Sequence, residues 1–541
     1  MSPVSSLVLR LLERPRRCAA ALLCLFAVNG AWSVYHDSQT HDEWAHIDYG
    51  ESALRGLVEH ASAQRMPITA LNAAPVAAIR ALGFSLSDQR ATWVYRLPTI
   101  AVAALLGYAV FVWSGALYGS TGGLLSLFVF VFCPTVLAHS RLVTTDVHCA
   151  AFSFFAVLSF VRYLDRPSWL RLVAAAVLMG LAQLTKHTAL LLVPVLLAVI
   201  GLRLLSILRD PARRPSPLPV GRAAVHAGVY LLLALAVLNA GYAFRGTMTS
   251  VLASRQSVSA SQPGFAAANA ASMEHPSLRS RVPLPLPSAY VEAFLFGQYL
   301  NGTDEGRGPA YLFGAQNPKG WWYYFPVAFL LKTPIPTLLL SAIALCLVFS
   351  TKWLAPASDE LVLVLVLFAT VGFFVFLCTA QIGVRYLLPA FPFLFTLVGR
   401  LAVWQPARAR RLWRAGALAL LVWLPISVLS YFPHYIAYFN ESCWNRLTLY
   451  RALADSNLDW DQTDWYLKRY LDAHSTEPIA VNPGSPVTGK VVVRANNLAG
   501  LTATPDAYRW LRDGHTPVGH IGYAWLIYDI PPPAQTSPNR R

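Results

Sequence analysis

Thr40 to Gly50, THDEWAHIDYG, concentrates acidic and histidine side chains directly after the first apolar run of a chain that is 55% hydrophobic and 13% charged. Thr40 followed three residues later by Glu43 has the form of a capping box, and predicts a helix from His41 with Asp42 and Glu43 in its first turn. Trp44, Ile47, Leu54, Leu57 and Val58 recur at helical spacing on one side, whereas Asp42, His46 and Tyr49 fall on another. The expectation is a helix lying at a membrane surface with an acidic site at its start. The plainer alternative is that both acids only favour the positive end of the helix, worth about 1 kcal/mol.

Outward from this stretch the chain reads as an all-α polytopic membrane protein. Mean hydropathy is +0.46, and apolar runs of near-membrane length recur along the 541 residues. Eleven spans are expected, near residues 19–34, 97–117, 122–137, 147–163, 170–184, 188–208, 223–242, 325–349, 361–380, 387–404 and 415–432. A formal net charge of +16 would suggest nucleic acid for a soluble protein, but here the arginines cluster between spans, as positive-inside bias requires. No nucleic-acid partner is expected. With the N-terminus cytoplasmic, Arg10 to Arg17, Arg162 to Arg171, Arg209 to Arg222, Lys352 and Arg408 to Arg414 all fall on the inner side. The odd count puts the tail outside. The segment 209–222, with Pro211, Pro215, Pro217 and Pro219, reads as a hinge.

Residues 1–432 form the expected membrane domain, with a first outer loop at 36–96 and a long one at 244–324, where Pro283, Pro285 and Pro287 forbid a continuous helix. Residues 433–541 form a small mixed α/β region on the periplasmic or extracellular side, with strand-like runs in 479–493 and 525–529. The triple proline 531–533 leads into a disordered end. The seven cysteines show neither a disulfide framework nor zinc spacing.

The topology collects distant charges at one boundary: Asp42 and Glu43, Arg141 and Asp146, Lys186 and His187, Lys332, and Arg385. Charge at that depth is expensive unless it pairs or serves a site. For Asp146 the plainer role is a charge at a helix start, and for Lys186 it is snorkelling. Lys332 either faces a cavity or marks a later span start. Asp42, Glu43 and Asp146 are the catalytic candidates. Arg141, Lys186, Lys332 and Arg385 are the donor-phosphate candidates, and His46, Tyr386, Asn457 and Asp459 the substrate-binding ones. Acids and cations around one outer cavity suit displacement of a lipid-linked phosphate by a hydroxyl or amine. A transporter or lipid flippase is the main alternative; a scaffold explains the tail but not the convergence of charge.

Five ordered motifs carry a family resemblance: THDEWAHIDYG, HSRLVTTDVH from His139, GWWYYFPVAFLLKTPIP from Gly320, QIGVRYLLPAFPFL from Gln381, and DSNLDWDQ from Asp455. Together they resemble the GT-C polyprenyl-phosphate-dependent glycosyltransferases, in the branch of bacterial relatives of the protein O-mannosyltransferases and the lipid A aminoarabinose transferase. The resemblance implies inverting transfer of a sugar from a polyprenyl-phosphate donor to a lipid, glycan or protein acceptor at the outer face of a bacterial inner membrane. It also implies that Asp42 acts as the base or acceptor-orienting group, that Asp146 is the second acid, and that Arg141, Lys186 and Arg385 meet the donor phosphate. Metal dependence is not general in the family, and no metal or other cofactor is expected. One departure stands out. Asn72 and Pro75 occupy the place of the His-Pro-Pro segment that many relatives carry, which bears on acceptor choice.

Overall fold

A computed structural model describes residues 14–58, 65–209, 220–303, 310–350, 357–404, 406 and 409–532. Among them, eight helices are long and apolar enough to cross a membrane. A ninth candidate is the pair Tyr324–Lys332 and Ile335–Ser350, bent by 119°, and the shorter Trp169–Gln183 is also apolar. One of the eight, Asp88–Val131, is two helices folded on each other at Gly119, whose φ of 77° is open to glycine at little cost. The arms meet where Ser114 Oγ and Ser126 Oγ lie 2.8 Å apart. A Cβ at Gly123 would come within 2.6 Å of the Phe111 carbonyl oxygen, so only glycine permits this approach. Every apolar run read from the sequence is therefore largely helical, and the chain is a polytopic membrane protein.

Several boundaries differ from expectation. The helix expected from His41 starts at Glu43, with Asp42 at its cap. Glu43 Oε2 reaches back to the Thr40 amide at 2.8 Å, but the Glu43 amide donates to the Thr40 carbonyl at 3.0 Å and the Thr40 hydroxyl donates to Glu43 Oε2, so only half of a capping box forms. The first loop ends at Asp88 rather than Arg96, because helix continues through Pro98 and takes Arg96 into its interior. The run 325–349 breaks at Thr333 and Pro334, since proline at 334 and 336 removes amide donors. The hinge at 209–222, Lys352 and the end after residue 532 lie wholly or largely outside the described residues.

Burial separates central from peripheral spans. Val384–Ala402 and Thr145–Asp165 are 89% and 72% buried in their apolar windows, against 17% for both Gly221–Gly241 and Arg410–Leu429. The two central spans carry Arg385 and Asp146 at their starts. At the far end of the bundle a second ionic set ties helix ends together. Arg203 pairs with Asp165 at 2.6 Å and Asp359 at 3.4 Å, and Glu360 meets Tyr118 and Arg400.

The 244–324 segment holds the helices Val251–Ser261, Pro263–Glu274 and Ser288–Gly302, interrupted at the expected prolines, then a short hairpin of β1 (Ala310–Leu312) and β2 (Ala315–Asn317). In the tail, β3 (Ile479–Val481), β4 (Gly489–Arg494), β5 (Gly519–Ile521) and β6 (Trp525–Ile530) form a mixed sheet in the order β3-β4-β6-β5. Val491 and Val493 on β4 and Leu526 and Tyr528 on β6 are continuous with the main apolar core.

Candidate functional site

The Glu43–Leu54 helix turns its polar side inward. Glu43, His46, Tyr49 and Gly50 are buried, at the spacing that makes one helical stripe, while Trp44, Leu54 and the following Leu57 are exposed. A soluble helix would do the reverse. The cause lies beneath it, where a buried ionic framework needs polar partners.

Glu43 is the anchor of that framework. Arg96 grips it with Nε at 2.8 Å and Nη2 at 2.6 Å, and the amides of Thr40 and Val143 donate at 2.8 Å each. Burial opposes ionisation of this carboxyl, but Arg96 and these hydrogen bonds outweigh it and hold it below the ordinary range. The remaining donors of Arg96 are taken by the carbonyls of Val34, Asp37 and Ser38. A carboxylate so fully engaged ties the first loop to the bundle and presents no open oxygen. Arg141 uses Nη1 alone, against Asp37 at 3.0 Å and Ser33, with Tyr435 against its face, while its Nε and Nη2 are buried with no hydrogen-bond partner among the described residues.

Asp42, one residue earlier, is placed quite differently. Its side chain is 24% exposed, against 5% for Asp146 and 0% for Glu43. Both terminal nitrogens of Arg385 donate to Asp42 Oδ2 at 3.3 Å. Arg385 Nη1 also lies 3.6 Å from Asp146 Oδ2, and Lys186 Nζ donates to Asp146 Oδ1 at 2.7 Å. Asp42, Arg385, Asp146 and Lys186 thus form one alternating chain of charge. Aromatic faces shape it: the Arg385 guanidinium sits 3.8 Å from the ring centre of Trp460, and the Lys186 ammonium 4.5 Å from that of Tyr386. His46 lies under the cluster, lowered to about 4 by burial against the opposing pull of Asp42, so it is neutral at pH 7.

The tail supplies the support. Asn457 Oδ1 accepts from the Val384 amide at 3.0 Å and its Nδ2 donates to the Tyr324 hydroxyl, also at 3.0 Å, fixing the backbone from which Arg385 projects. A Cβ at Gly383 would meet Ser456 Oγ at 2.5 Å and push that hydroxyl off the Ile382 carbonyl to which it donates. Lys332 stands apart from the charge chain. Buried at the helix break, it donates to the carbonyls of Ile436 at 2.8 Å and Asn457 at 2.5 Å, and so holds the tail segment in place. Asp459 also points elsewhere, 3.5 Å from Arg494, and burial pushes it up to about 7 against the pull of that arginine.

Of the residues singled out in the sequence, the structure brings together Asp42, Asp146, Lys186 and Arg385, with His46 and Tyr386 at their edges. Glu43, Arg141, Lys332, Asn457 and Asp459 form the surrounding framework. Three further residues join: Arg96, Trp460 and Asp455. Asp455, at a left-handed φ of 58°, lies within electrostatic reach of Arg385 and Asp42 and is raised by burial. Its signal was present as the first residue of DSNLDWDQ, and Arg96 was visible as a lone charge in an apolar run. Asn72 spends its amide nitrogen on Tyr95 O and Thr99 Oγ1, at 2.8 and 2.7 Å, fastening its helix to the bundle. Among the described residues, no group of three or more His, Cys, Asp and Glu side chains is arranged to hold a metal ion.

Two solved structures of ArnT from Cupriavidus metallidurans are similar to this chain. The one bound to undecaprenyl phosphate has a TM-score of 0.48 at 12% identity, covering 94% of this chain and 97% of that one. The apo state has 0.45 at 13%, with the same coverage. No curated protein matches the chain. The model of the family described as dolichyl-phosphate-mannose-protein mannosyltransferase matches residues 73–213, which include Arg96, Arg141, Asp146 and Lys186. That segment carries the signature of the mannosyltransferase family whose bacterial relatives the five motifs resemble.

Proposed function

We propose that this protein is an inverting glycosyltransferase that moves a sugar from a polyprenyl-phosphate carrier to a hydroxyl or amine acceptor. The observation that carries the reading is Arg385 bridging Asp42 to Asp146 while Lys186 extends the chain of charge. The family segment at 73–213 supports the same class of donor.

In this reading the donor phosphate enters against Arg385 and Lys186, in competition with the carboxylates that now neutralise them. The acceptor lies against Asp42, the most open of the three acids. The acceptor oxygen or nitrogen attacks the anomeric carbon and forms the new glycosidic bond as the bond to the phosphate oxygen breaks. The phosphate leaves with that electron pair, and the acceptor proton passes to Asp42. A positioned base contributes roughly 10²- to 10⁴-fold in rate, and preplaced cations stabilise the charge growing on the departing phosphate. No metal is invoked. Asp146 serves by holding both cations in place. In this reading the reaction lies on the side opposite the clustered arginines, with the N-terminus cytoplasmic and the tail outside; the family resemblance implies that this side is the periplasmic face of a bacterial inner membrane.

Lipid mass spectrometry on cells lacking the protein, complemented with wild type, Asp42→Asn or Asp146→Asn at matched expression, tests this reading. One polyprenyl-phosphate sugar accumulates in the deletion and in both variants, and only wild type relieves it. Full rescue by both variants overturns the proposal.

A further inference from the structure

A cavity of about 590 Å³ opens far from the charge chain, between the Asp88–Val131, Thr145–Asp165 and Trp169–Gln183 helices. Arg162 and Arg171 line it together with Tyr108, Phe155, Leu158 and Leu178. Asp146 and Arg162 share one helix and stand about 24 Å apart along its axis, so this cavity belongs to the opposite end of the bundle.

Its charge is unbalanced. Neither Arg162 nor Arg171 forms an ion pair among the described residues. Asp165, the acid beside them in the chain, is held by Arg203 at 2.6 Å, and among the described residues the Arg171 guanidinium bonds only the Arg166 carbonyl, at 2.8 Å. Two guanidinium groups around one cavity repel each other and are attracted to an anion. Two helical turns deeper, at Phe155 and Leu178, the lining is apolar on both helices. Basic groups at the helix ends with an apolar cleft beyond match a molecule that has an anionic head and a hydrocarbon chain. The volume lies within the range of sites that bury a small ligand, roughly 300 to 1,000 Å³.

We propose that this cavity binds an anionic phospholipid from the leaflet opposite the Asp42 cluster. The phosphate sits on Arg162 and Arg171, and an acyl chain lies along Tyr108, Phe155, Leu158 and Leu178. Basic pockets between membrane helices recognise anionic headgroups in this way. The inference is independent of the glycosyl-transfer reading, since none of these residues belongs to the charge chain.

Native mass spectrometry of the purified full-length protein, with phosphatidylglycerol and phosphatidylcholine of identical acyl chains, tests it. Wild type retains phosphatidylglycerol at least tenfold more strongly than phosphatidylcholine, and millimolar inorganic phosphate does not displace it. The Arg162→Ala/Arg171→Ala double variant loses that preference. Ala174→Trp, which fills the cavity from an exposed lining position and keeps both arginines, loses phosphatidylglycerol retention as well. Arg166→Ala removes a neighbouring exposed charge that does not line the cavity and retains wild-type binding. Equal retention of the two lipids by wild type, an unchanged preference in the double variant, or an equal loss in Arg166→Ala overturns the proposal.

Discussion

Arg385 places both of its terminal nitrogens 3.3 Å from a single oxygen of Asp42, and among the described residues the other oxygen, Oδ1, has no hydrogen-bond partner. An open carboxylate oxygen beside the cation is the geometry that the proposed base role requires. Glu43, the next residue, has every acceptor position engaged, so adjacent acids in the chain have opposite prospects.

Asp42→Asn therefore keeps the shape and the hydrogen bond to Arg385 but removes the proposed base. The expected outcome is a folded protein whose turnover with a polyprenyl-phosphate sugar falls by about 10²-fold or more, measured with purified protein in lipid nanodiscs. Near-normal turnover would move the base elsewhere.

Arg385→Lys should fare little better than Arg385→Ala. One ammonium cannot span Asp42 and Asp146 while lying flat on Trp460, a geometry that suits a planar guanidinium. Donor KM is expected to rise at least tenfold in both variants. Full rescue by lysine would show that only the charge matters.

Glu43 and Arg96 act on folding. Replacing Glu43 by Gln leaves Arg96 as an uncompensated buried charge, with a cost of about 3 to 5 kcal/mol. Arg96→Met together with Glu43→Gln should recover much of that loss. Thermal unfolding in detergent checks this, with a lower Tm for the single variant than for the pair; turnover per folded molecule should hold up far better than in Asp42→Asn.

Asp459 makes stability depend on pH. Its folded value, pushed up to about 7 by burial, lies above the unfolded value near 4. Between these limits the folded protein keeps a proton that the unfolded chain has released, so the contribution is fully present below about pH 4 and is lost as pH rises to about 7. Asp459→Asn removes this slope. The Tm advantage of the variant over wild type should be larger at pH 7.5 than at pH 4.5, and a constant difference would refute the assignment.

Much of this architecture is legible in the residues. Apolar runs announce themselves by length and arginines by the side on which they cluster, so the bundle and the boundary where Asp42, Asp146, Lys186 and Arg385 meet can be placed in advance. Pairing is another matter. Sequence marks Glu43 as a charge that must be neutralised, but the neutralising Arg96 lies 53 positions away, and the Val143 amide that completes the set carries no side-chain signal at all. Lys332 looked like a phosphate ligand because a lysine in an apolar run demands a partner. It finds two carbonyls instead, and carbonyl positions depend on where the chain breaks. Trp460 was one aromatic among many until the tail folded beneath Arg385.

That last placement has a consequence for how the protein is made. The segment that seats Arg385, from Asp455 to Trp460, is translated after every candidate span among the described residues. A nascent chain that stops short of this segment lacks the floor beneath Arg385, and Lys332 has lost the Asn457 carbonyl and keeps at most that of Ile436. On the proposed function, the charge chain is completed last, and copies cut short before residue 455 should not turn over.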